Sequence, residues 1–200
     1  MRFIGYMNKA HLIGTLEGPI AFSHAVFGQR FYTVTIVTKR KSGAKDYIPL
    51  TISEKVKTEM EQMTRVDVVG TVRCYNIQKN EKSHMGMAVL VQNCMSAKEE
   101  TADVNDVCLF GSIYKEPKFK ERQTRQLTQF PLSVPRDSKH PDVIPCMAWN
   151  QNAALVAQLP VNTQVKVNGR IQSRLIKRKS ETTYEVSVNN LEVYDTQVSA

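Results

Sequence analysis

The residues of this sequence best equipped for chemistry are basic side chains crowded into three short, turn-like stretches. "TKRKSGAK" (38–45) sets Lys39, Arg40, Lys41 and Lys45 around a Ser-Gly turn. "KEPKFKERQTR" (115–125) carries Lys118, Lys120 and Arg122, with Phe119 between the two lysines, and "RLIKRKSET" (174–182) carries Arg174, Lys177, Arg178 and Lys179. Such groups donate hydrogen bonds to phosphate oxygens, and an aromatic ring among them offers a face on which a base can stack. A single lysine-rich tip would be an ordinary solvated turn. Three of them, on a chain of formal net charge +8 and pI near 9.4, describe a path for a polyanion, most simply nucleic acid.

Other chemistries find little support. His11, His24, His84 and His140 are scattered, and neither a His-x-x-x-His nor a Cys-x-x-Cys spacing occurs. There is no glycine-rich phosphate loop and no nucleophile elbow. The acidic residues are spread along the chain, with small groups in a helical stretch and a linker, and no carboxylate pair suggests acid–base work. The expectation is a protein with no catalytic residues, no metal and no cofactor. Cys74, Cys94, Cys108 and Cys146 lack disulfide-type spacing, which fits small apolar thiols in a reducing cytoplasm. The opening "MRFIGYMNKA" has no signal-peptide core, and no run is long enough to span a membrane.

Elements that could position the basic stretches emerge from an internal repeat. "NKAHLIGTL" (8–16) aligns with "NDVCLFGSI" (105–113), and "YTVTIVTKR" (32–40) with "FPLSVPRD" (130–137). "DYIPLTIS" (46–53) aligns with "DVIPCMAW" (142–149), "TRVDVVGTV" (64–72) with "TQVKVNGRI" (163–171), and "MGMAVLV" (85–91) with "YEVSVNN" (184–190). The shift is nearly constant at about 97 residues, the mark of a duplicated unit. The join, "SAKEETADV" (96–104), is polar and acidic. The expected organisation is therefore a first domain at 1–97, an acidic linker at 98–104 and a second domain at 105–200.

Each unit reads as five strands with one helix between the third and fourth. Val56, Met60 and Met63 take helical spacing after Ser53, and "NQNAALVAQL" (150–159) is the counterpart. Pro49 and Pro145, lacking an amide hydrogen, should stand at a bulge or an edge. Gly14, Gly70, Gly111 and Gly169 fall inside strands, as tight coiling requires. This order is that of the OB-fold, and the expected class is all-β: two tandem five-stranded Greek-key barrels.

On the residues just quoted, the second half resembles the bacterial single-stranded DNA-binding protein family, through "CMAWNQNAALVAQL", "TQVKVNGRIQSR" and "TYEVSVNNLEV". "FSHAVFGQRFYTVTIVTKRKSG" with "DYIPLTIS" is similar to a two-barrel branch of that family found in Firmicutes. The resemblance implies a non-catalytic, cytoplasmic protein that coats or handles single strands in replication, recombination or mobile-element transfer. It implies two stacking positions around the third strand. These fall at Tyr47 and Ser53 in the first half and at Val143 and Trp149 in the second, so each half keeps one aromatic. A further family aromatic falls at Ile77 and Ile176, where Tyr75 could substitute for the first. Arg73, three residues after Gly70, and Arg170, next to Gly169, complete the expected nucleic-acid-binding set. Four barrels per assembly in the family imply a homodimer here. The family's acidic C-terminal recruitment peptide has no counterpart in "LEVYDTQVSA". Two alternatives stay open: one barrel docking protein in a primosome or conjugation system, and RNA in place of DNA.

Overall fold

The computed structural model describes residues 7–79, 82–122, 125–136, 140–176 and 181–194. Its strands and helices are β1 (Asn8–Val26), β2 (Gln29–Lys39), β3 (Lys45–Ser53), α1 (Glu54–Met60), β4 (Arg65–Lys79) and β5 (Lys82–Ser96), followed by β6 (Val104–Ile113), β7 (Lys118–Arg122), β8 (Arg125–Val134), β9 (Asp142–Trp149), α2 (Asn150–Ala157), β10 (Gln164–Ile176) and β11 (Glu181–Tyr194). The fold is mostly β.

The first five strands close on themselves. β1 pairs with both β2 and β4, β2 with β3, β3 with β5, and β5 with β4. Each partner is antiparallel except the β3–β5 pair. A ring of five strands with a helix after the third is an OB-fold barrel. The later strands pair in the same order, β6 with β8 and β10, β8 with β9, β9 with β11, and β7 is added on the outside of β8.

Period-two alternation builds the cores. Leu12, Val34, Ile36, Ile48, Leu50, Val66 and Val68 are buried in the ring, and Leu109, Phe130, Leu132, Ile144, Val165 and Val167 are buried among the later strands. Glycine is required where strands cross closely. A Cβ at Gly14 would meet the Val37 carbonyl, and one at Gly111 would meet the Ser133 carbonyl. Gly70 and Gly169 are pressed in the same way against the carbonyls of Leu90 and Ser187.

The prolines stand at a local edge. The β2–β3 register runs unbroken through Thr35↔Pro49. The parallel ladder to β5 starts one residue later, at Leu50↔Val89. Pro145 faces Pro131, and its parallel ladder starts at Cys146↔Val186. In both cases the missing amide hydrogen falls where the strand has no second neighbour.

Several elements run longer than the aligned motifs. β1 continues through Val26 and returns as β2 over a turn with Phe27 at φ 47 and Gly28 at φ 81, forming a two-stranded arm. Paired positive φ values are those of a two-residue hairpin turn. The stretch expected to be a basic hairpin tip at 115–125 supplies a strand of its own, β7.

The compact units cut across the repeat. One comprises Lys9–Asp106 with Ile171–Tyr184, and the other Met1–Asn8, Val107–Arg170 and Glu185–Ala200. The end of the β10–β11 hairpin is tied into the first of these. Ser173 donates its amide to Asp46, Ser173 Oγ accepts from the Tyr47 amide, and the Asn105 side chain bonds both ways with the Ile171 backbone. The acidic join is fastened as well. Arg65 donates to the carbonyls of Lys98 and Thr101 and pairs with Asp103, whose other oxygen accepts from the Lys39 amide.

Candidate nucleic-acid interface

In an OB barrel the outer face of strands two and three, with the loops beside it, is the surface open to a nucleic acid. β2 and β3 place Phe31, Thr33 and Thr35 opposite Ser53, Thr51 and Pro49 on that face, with Tyr47 opposite Val37. Tyr47 is exposed. Ser53 is committed at its hydroxyl, which caps α1 by accepting from the Val56 amide.

The corresponding face of the later strands is three strands wide. Trp149 stands opposite Leu127, and Leu127 opposite Lys120. Met147 stands opposite Gln129, and Gln129 opposite Lys118. Directly paired residues share a face, so the one tryptophan and two lysines lie on a common surface. Lys120 donates to Gln129 Oε1 at 3.3 Å across it. Trp149 is half-buried and forms the N-cap of α2 without a side-chain cap bond. Phe119 departs from the expectation that it interleaves with these charges. It stands opposite Thr128, whose hydroxyl is buried against the Ala153 carbonyl, so alternation sends its ring to the other face.

The remaining expected residues divide. Lys39, Lys41 and Lys45 have exposed side chains around the β2–β3 turn. Arg40 does not join them. Its guanidinium makes two hydrogen bonds to Asp46, 2.7 Å from Nε and 2.5 Å from Nη2, and this pairing holds its pKa above the ordinary arginine value. Asp46 is 0% exposed. Arg136 repeats the pairing with buried Asp142 at 3.7 Å. The first residue of each Asp-x-Ile-Pro run is thus a buried carboxylate held by an arginine from the preceding strand end.

Tyr75 and Ile77 share a face, as expected, and both cover Gly86, where a Cβ would meet the Tyr75 ring at 2.6 Å. Burial pushes the Tyr75 hydroxyl's pKa up, and Tyr184 is raised by burial first and then by Tyr75. Tyr75 is still 48% exposed, so one side of the ring is open. Arg73 lies two residues before it on β4, half-buried, while Arg170 is half-buried on β10 and Arg174 is exposed. Arg122 is described by its backbone alone, and Lys177, Arg178 and Lys179 lie outside the described residues.

The structure also presents aromatics that sequence reasoning did not single out. The β1–β2 arm carries Phe22, edge-on to Tyr32, and His24, stacked on Phe31 with ring centres 5.2 Å apart. Phe27 at its tip is fully exposed. Tyr114, with the Lys115 ammonium 5.6 Å from its ring centre, opens the β6–β7 connection. The ring-rich run "FSHAVFGQRFY" (22–32) is the local signal of an aromatic hairpin, although it does not mark how far its strands extend.

Cys94 is a buried thiol raised to about 11, chiefly by desolvation. Among the described residues, no group of three or more His, Cys, Asp or Glu side chains could hold a metal ion. No helix among them is long and apolar enough to cross a membrane.

Residues 104–194 match the profile of the single-strand binding protein family. No curated protein matches the sequence. Among solved structures, the wild-type single-stranded DNA binding protein from Thermus aquaticus superposes with TM-score 0.78 at 15% identity, covering 97% of this chain and 96% of that one. A deletion mutant of the same protein gives TM-score 0.78 at 16% identity over 96% and 97%. The dimeric N-terminal domain of PriB from Thermoanaerobacter tencongensis is 30% identical over 46% of this chain and 98% of that one, with a TM-score of 0.39, too loose a superposition to argue from. At these identities the Thermus likeness establishes the fold.

Proposed function

We propose that this protein binds single-stranded DNA with little regard to sequence, as a non-catalytic coat or handler of exposed strands. Its two OB barrels are a duplication, with repeat boundaries at 1–97 and 105–200 and the segment 98–104 between them. The observation that carries this reading is the β7–β8–β9 face. Trp149 shares it with Lys118 and Lys120, and it belongs to the stretch that matches the single-strand binding family. A stacking ring beside ammonium groups supplies the two devices that hold a strand without reading its edges. On the first half, Tyr47, with Lys39, Lys41 and Lys45 at the adjoining turn, offers the same pairing.

The test is fluorescence anisotropy of labelled oligo-dT and of a duplex of equal length, each at two salt concentrations. The expected outcome is preference for the single strand, similar affinity for mixed sequences, and affinity that falls as salt rises. Equal binding of the duplex would defeat the reading, and tighter binding of a matched RNA oligomer would transfer it to RNA. The full chain is the right reagent. Cutting between the repeats would strip Ile171 and Ser173 from Asn105, Asp46 and Tyr47, to which they are bonded.

A homodimer, giving four barrels, belongs to the same proposal and is supported by the family resemblance. Light scattering should return twice the chain mass of 22.7 kDa. A single-chain mass would remove the dimer and leave the binding face untouched.

A further inference from the structure

The first half lacks an aromatic where the resemblance places one, at Ser53. Register shows what stands beside that gap. Ser53 is directly opposite Phe31 on β2, and Phe31 is directly opposite His24 on β1. The three residues form one row across β1, β2 and β3, on the face where Thr51, Pro49 and then Tyr47 follow Ser53 along β3. In this row the His24 and Phe31 rings are stacked, 14° from parallel with centres 5.2 Å apart. That spacing is close to the distance between neighbouring strands, so the stack runs along the row. The next place in the row, above β3, holds only the hydroxymethyl group of Ser53.

We propose that Phe31, backed by His24, is the base-stacking platform of the first half, taking a base into the place above Ser53. This rests on the single-strand reading above. A flat base there continues the order of rings already begun by His24 and Phe31, and a larger residue at 53 would fill the place. Ser53 suits the row for a second reason, because its hydroxyl is engaged in capping α1 and is turned to the helix. The chemistry recognised is the π-face of a nucleobase, which every base possesses, so no sequence preference follows. The arm segment 18–29 carries no Lys, Arg, Asp or Glu. The platform therefore acts by stacking, with phosphate contact left to Lys39, Lys41 and Lys45.

Two measurements on the full chain test this. Oligo-dT carrying one 5-iodouracil at successive positions is irradiated in complex with the unaltered protein, and the cross-linked peptides are mapped. Adducts at Phe31 or His24 are expected. In parallel, Phe31→Ala should weaken oligo-dT binding about tenfold, the order expected for one lost stacking platform. It should leave the salt slope unchanged, because no charge is removed, and Phe31→Trp should retain affinity. Adducts confined to other peptides, or a folded Phe31→Ala variant that binds like the parent, would overturn the platform while leaving the single-strand reading intact. Failure of the unaltered protein to bind oligo-dT would overturn both.

Discussion

At the scale of single residues, the arginines separate into structural and available groups. Arg40 is an attractive phosphate ligand in sequence, in a run of basic residues. In the fold its charge is spent on Asp46, which is fully buried and also accepts the Ser173 amide. Removing one member of such a pair strands a charge away from water. Arg40→Ala should therefore cost about 3 kcal/mol of stability in urea unfolding, with the salt dependence of binding unchanged. A variant as stable as the parent, but with a shallower salt slope, would return Arg40 to the phosphate path. The repeated Asp-x-Ile-Pro is legible as a duplication, yet the task of its aspartate is not. The partner arginine is brought close only by the hairpin register Thr38↔Asp46, which no local pattern discloses.

At the scale of elements, period-two alternation decides which neighbours in sequence are neighbours in space. "KFK" (118–120) reads as one patch of charge and ring, but as a strand it splits into two faces. The lysines turn toward Trp149, and Phe119 turns away. Replacing Lys118 or Lys120 by Ala should each reduce the salt slope by about 0.7, the value for one phosphate on a single strand. Phe119→Ala should leave affinity within about a factor of two, as for an ordinary surface change. The reverse result, with Phe119 essential and the lysines silent, would mean that the strand lies on the opposite face. The β character of the chain and the four packed glycines are readable because each is a local periodicity or a required absence of a side chain. The lengths of β1 and β5, and the strand β7, are not readable. Their outer segments form arms and hairpins with no core-facing alternation to mark them.

At the scale of the whole molecule, the repeat and the compact units are different divisions of one chain. The sequence halves share aligned motifs, but the end of the β10–β11 hairpin is bonded to β3 and Asn105 through Asp46, Tyr47 and Ile171. Long-range ties of this kind have no signature in a single sequence. They also place part of the basic "RLIKRKSET" hairpin, Arg174 included, in the same compact unit as Tyr47 and Tyr75. The proposed function turns on whether the outward face carrying Trp149 meets unpaired bases. With one tryptophan in the chain, its emission reports that face alone. Titrating the protein with unlabelled oligo-dT at low salt should quench the emission to a sharp plateau, and added salt should restore it. Complete binding, verified independently, with no change in tryptophan emission would contradict the account.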